Sequence, residues 1–110
     1  MTLTDFADIM DEIKTDAHLN GVVYDFYPEG AAPALPFAAW RSPSNDPFGA
    51  DDVTYYAAND VEIEMLTEHR DTTKEAAIEA DLTKHGIFYQ KTVTYLDDEK
   101  CYQTLYEMEI

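Results

Sequence analysis

The chain has 110 residues, 45% of them hydrophobic, and a formal charge of −16 from 7 basic and 23 acidic side chains. That length is one domain, spanning residues 1–110, and large enough for a hydrophobic core of its own. The charge excludes a nucleic-acid reader, which needs Lys and Arg against phosphates, and disfavours docking on anionic membranes. The apolar share excludes an acidic disordered tail.

A helix is expected over residues 2–14. Leu3, Phe6, Ile9, Met10 and Ile13 form one stripe of 3.6-residue period, and Asp5, Asp8, Asp11 and Glu12 take the other face. Thr2 or Thr4 caps its start, and Asp5 suits the N-terminal dipole. Asn20-Gly21 stops it. "VVYDFYP", residues 22–28, is β-branched and aromatic and reads as a strand ended by proline. "EGAAPALP" is a loop and "FAAWRSP", residues 37–43, a second strand. "SNDPFGADD", residues 44–52, reads as a polar loop.

Residues 53–68 are long for one strand and read as one bent strand or two short ones, kinked near Asn59-Asp60. From Val61 the alternation is clean: Val61, Ile63 and Met65 inward, Glu62, Glu64 and Leu66 outward. Thr72-x-x-Glu75 is a capping-box pattern opening a second helix, which Lys84, His85 and Gly86 close. Its apolar stripe of Ala76, Ala77, Ile78 and Leu82 is thin. Residues 87–96 and 100–110 read as a hairpin joined by a turn with Asp97, Asp98 and Glu99. On its second strand Tyr102, Thr104, Tyr106, Met108 and Ile110 share one face. The order implies an α+β fold: two helices packed on one face of a mainly antiparallel, mixed β-sheet, ending in a C-terminal β-hairpin.

No motif points to catalysis. His18, His69 and His85 are far apart in sequence, with no zinc-ligand spacing. Cys101 sits mid-strand, away from any helix N-terminus, and reads as a small, partly buried thiol in a reducing compartment. Asp46, Asp51 and Asp52 lack the EF-hand spacing and read as a solvated loop. No phosphate-cradling glycine loop and no nucleophile elbow is present. No catalytic residue, metal ligand or cofactor is assigned. Neither a signal sequence nor an apolar run long enough to span a bilayer is seen, so synthesis and residence in a cytoplasm are expected.

"GIFYQKTVTYLDDEKCYQTLYEMEI" resembles the C-terminal end of the tail-completion proteins, or tail terminators, of siphophages and prophages. The similarity extends to the N-terminal helix, the aromatic strand before a proline loop, "VEIEMLTE", the capped helix ending "HGIFYQK", and the Tyr102, Tyr106, Glu107 pattern. The resemblance implies a structural virion protein, not an enzyme, made in a bacterial cytoplasm and placed at the head-tail junction. It implies a ring, usually a hexamer, that caps the head-proximal end of a long non-contractile tail tube. Its partners would be further copies of itself, the tube protein and a head-completion or stopper protein, with DNA passing through the bore without specific binding.

On that reading the hairpin residues Tyr102, Tyr106, Glu107, Met108 and Ile110 are candidates for the oligomer interface. Asp46, Asp51, Asp52, Asp97, Asp98 and Glu99 are candidates for a bore that repels phosphate. The alternatives are another small head-tail connector or adaptor protein, and an acidic nucleic-acid mimic.

Overall fold

The computed structural model describes the backbone of residues 1–50 and 53–110, and the side chains of these except 46–50 and 53–57. The elements are α1 (Leu3–Asp16), β1 (Val22–Tyr24), β2 (Phe37–Ala50), β3 (Val53–Thr67), α2 (Thr72–Lys84), β4 (Tyr89–Leu96) and β5 (Cys101–Glu109). The five strands form one sheet in the order β1-β2-β3-β5-β4. Only the β1–β2 pair is parallel. The expected α+β architecture with a C-terminal hairpin is what the chain adopts.

α1 starts at a full capping box, in which Thr2 accepts from the Asp5 amide and Asp5 accepts from the Thr2 amide. Its apolar stripe is buried at Phe6, Ile9, Met10 and Ile13. α2 is capped by Asp71, which accepts from the Lys74 amide at 3.1 Å, and not by Thr72 as the sequence suggested. Glu75 is therefore free of capping duty and turns into the protein. Gly86 follows α2 at φ +71, the left-handed conformation that glycine adopts without strain.

Both helices supply the core that lies on one face of the sheet. Phe6, Met10 and Ile13 join Ile78 and Leu82, Trp40, Val61, Ile63, Met65, Tyr106 and Met108 in one apolar cluster. Phe6 meets Trp40 with ring centroids 5.2 Å apart, and Tyr89 meets Tyr106 edge-on at 5.5 Å. The inward set Val61, Ile63, Met65 is buried as the alternation required. The outer face is polar: Arg41 donates to Glu62 at 2.8 Å, and Gln103 donates to Glu64 at 2.7 Å.

Three boundaries depart from the sequence reading. The first strand ends at Tyr24, because Asp25 takes φ +75 and leaves the extended region. The bend expected near Asn59-Asp60 is a register shift on the partner strand: Arg41 pairs with Glu62 and Ser44 with Asp60, leaving Ser42 and Pro43 opposite Val61. The polar loop expected from residue 44 is instead strand as far as Ala50. There β2 and β3 run on as a two-stranded arm; among the described residues they pair only with each other from Asp46–Ala58 outward to Ala50–Val53. A strand with a free edge tolerates proline, as at Pro43 and Pro47.

Candidate assembly surface

Strand order decides which backbone groups face out. β5 lies between β3 and β4, with Asp60–Thr67 on one side and Tyr89–Leu96 on the other. Its ladder runs on to Ile110, which exchanges two backbone hydrogen bonds of 2.9 Å with Asn59. The hairpin's free edge is thus β4. Eight residues long, it has no proline and no register shift against β5. Its one charge, Lys91, folds inward over α2 to reach Glu75 and Glu79, each at 3.0 Å. Among the described residues nothing pairs with the outer side of β4. Edges left long and flat in this way recruit another strand.

The residue before β4 adds an apolar anchor. Phe88 is 92% exposed, beside a depression of about 480 Å³ lined by Thr83, Gly86, Ile87, Phe88 and Tyr89. Tyr95, near the far end of the strand, is also exposed and stacks edge-on with Tyr102 at 5.1 Å. Phe88 lies between a glycine turn and a strand, where its exposure has no signature in the sequence pattern. The other edge, β1, is only three residues long and carries Tyr24 against Trp40 at 4.7 Å.

The proposed interface residues divide. Tyr106 is fully buried and donates to the Glu75 carbonyl at 3.3 Å and to Glu79 at 2.9 Å. Met108 is buried and Ile110 packs against the core. These three side chains are committed within the subunit. Tyr102, half-buried, and Glu107, exposed, remain accessible.

The candidate bore acids also divide. The side chains of Asp46, Asp51 and Asp52 lie outside the described residues, although the backbone of Asp46 pairs with Ala58 in the arm. Asp97, Asp98 and Glu99 are exposed in the β4–β5 turn. Because Tyr102 pairs with Thr67, that turn sits at the end of β3 opposite the arm. The separation along β3 from Ala58, the partner of Asp46, to Thr67 is roughly 30 Å at ~3.3 Å per residue, so Asp46 and the turn acids stand at opposite ends of the strand, while Asp51 and Asp52 lie outside the described residues.

Two buried acids escaped the sequence reading, because carboxylates on a helix look like its solvent face. Glu75 is 2% exposed and receives Arg70 at 3.3 Å and Lys91 at 3.0 Å. Burial pushes its carboxyl up, but the hydrogen bonds from Arg70 and Lys91 outweigh that and hold it below the ordinary glutamate value. The signal was Lys91, which occupies a core-facing position opposite Tyr106. Asp81 is 6% exposed, and one of its carboxylate oxygens lies within 4.8 Å of one each from Glu12 and Asp16. Cys101 is buried, which raises its thiol above the usual range and keeps it protonated.

No family model matches the chain, and no curated protein matches it. Among solved structures it is similar to a chain of the virion of a native gene transfer agent (GTA) particle. The two share 16% identity at a TM-score of 0.48, over 79% of this chain and 75% of that one. At that level the likeness carries no argument about role. No helix among the described residues is long and apolar enough to cross a membrane.

Proposed function

We propose that the protein is a structural component of a phage-like virion, which forms a ring at the head-proximal end of a tail tube and joins tail to head. The observation that carries the ring is the unguarded β4 edge beside the exposed Phe88. The sheet ends differently on its other side, in the short β1 and the protruding β2–β3 arm. An assembly made by joining two unlike surfaces is heterologous, and it closes into a ring when the rotation per subunit permits. In the arm the outer edge of β2 is unpaired among the described residues from Ser44 to Ala50, seven residues, a length close to the eight of β4. The β4 edge of one subunit pairs with the arm of the next, main chain to main chain.

Support for the place of the ring comes from the resemblance carried by "VEIEMLTE", "HGIFYQK" and Tyr102, Tyr106, Glu107. The charge of −16 suits a ring that DNA must pass without adhering. The neighbours on this reading are the tube protein on one side and a head-completion protein on the other.

Negative-stain microscopy of siphophage tail tubes incubated with the protein tests this placement. The expected result is a ring at one end of each tube only. Binding along the tube wall, or no binding with rings formed in solution, would move the protein elsewhere in the particle.

A further inference from the structure

A second feature lies on the helical side of the molecule, away from the sheet edge. Glu12 and Asp16 are one turn apart on α1 and share a face. Asp81 approaches from α2. One carboxylate oxygen from each lies within 4.8 Å of the others. Asp81 is the unusual member. It is 6% exposed, and its Oδ2 is buried with no hydrogen-bond partner. A buried carboxylate oxygen without a donor is costly, and the Asp81 carboxylate stands beside two more. The basic side chains nearby are engaged elsewhere: Lys84 Nζ and His85 Nε2 both contact Glu12.

We propose that Glu12, Asp16 and Asp81 bind a calcium ion that clamps α1 to α2. The donor set is all oxygen and all anionic, which selects a hard divalent cation. Calcium fits better than magnesium because it accepts flexible, irregular oxygen coordination, whereas magnesium demands near-ideal octahedral geometry and gives up its waters reluctantly. Lys84 and His85 hold the Glu12 carboxylate from outside, as outer-shell partners orient a ligand. Asp16 is exposed, so water can complete the coordination from that side. Three carboxylates and several waters make a weak site, with a Kd on the order of 10⁻⁴ to 10⁻³ M.

The test is a calcium chloride titration of chelator-treated, desalted protein at pH 7.5. Isothermal calorimetry reads binding. Circular dichroism and Trp40 fluorescence read thermal unfolding, and Trp40 reports α1 through its contact with Phe6. The expected result is a saturable rise in Tm and a binding isotherm, both weakened at least tenfold in Asp81→Asn and in Asp16→Asn. Asp8→Asn, on α1 outside the cluster, should bind as the wild type does. Magnesium chloride should produce a smaller rise. Asp16 is exposed, so its variant folds and carries the test if Asp81→Asn does not. No saturable response would overturn the site. So would an equal response in all variants, or one reproduced by sodium chloride at matched ionic strength, since either is general screening of a highly acidic chain. An equal or larger response to magnesium would overturn the assignment to calcium.

Discussion

Lys91→Met isolates the buried charge network beneath the hairpin. Lys91 reaches from β4 across the core face to Glu75 and Glu79, at 3.0 Å each. Methionine keeps the aliphatic stem and removes the charge. Glu79 retains the Tyr89 and Tyr106 hydroxyls at 3.3 and 2.9 Å. Glu75, 2% exposed, keeps only Arg70 among its charged partners. Stranding a buried charge completely costs about 3–5 kcal/mol, and with Arg70 still in place the loss should be about 2 kcal/mol. In a domain of this size that lowers Tm by roughly 8 °C, at ~4 °C per kcal/mol. Urea and thermal unfolding across pH provide the assay. In the wild type the depressed Glu75 carboxyl stabilises the fold above its unfolded value of about 4.3, and that contribution fades as pH falls through the lower folded value. Without Lys91 the burial effect wins and the carboxyl rises. The variant then regains stability, relative to the wild type, by taking up a proton as pH falls from 7 towards 4. A loss below about 0.5 kcal/mol at pH 7, or a gap that does not narrow with falling pH, would refute the assignment of Glu75 as a buried, paired carboxylate.

Tyr106→Phe removes a hydroxyl that bonds the Glu75 carbonyl and Glu79; it should cost about 1–1.5 kcal/mol by urea unfolding, with the ring packing retained. Asp71→Ala removes the α2 cap and should cost about 1 kcal/mol, while Thr72→Ala costs much less; equal losses would restore Thr72 as the cap. Phe6→Ala opens the contact between α1 and Trp40 and should cost about 3–5 kcal/mol, with a shift of Trp40 emission in the folded state.

Much of the fold was legible because periodicity reports burial directly. The stripe Phe6, Ile9, Met10, Ile13 and the alternation Val61, Ile63, Met65 each name a core face, and both faces are buried as read. The arm was not legible. Pro43, Pro47 and Gly49 are loop signals in a strand paired on both sides, but a strand with a free edge permits them. Strand order was hidden as well. A hairpin can join a sheet through either strand, and nothing in "YQKTVTYLDDEKCYQTLYEMEI" states that β5 is inside and β4 outside. The candidate assembly surface inherited that ambiguity, which is why Tyr106 and Met108 were singled out and Phe88 was not. The buried acids Glu75 and Asp81 were missed for a related reason: helical periodicity shows which face is apolar, not which acid has a partner across the fold.

The claim that β4 closes a ring is tested most directly by native mass spectrometry over a concentration series, on the wild type, Phe88→Asp and two proline variants. Backbone amides alternate direction along a strand, so one of Thr92→Pro and Val93→Pro removes an outward donor and the other breaks the β4–β5 ladder. The variant that keeps wild-type stability in urea is the edge probe. The account predicts one closed oligomer of fixed number for the wild type, and monomers for Phe88→Asp and the edge probe. A wild type that stays monomeric at every concentration, or a ring that survives both changes, would contradict it.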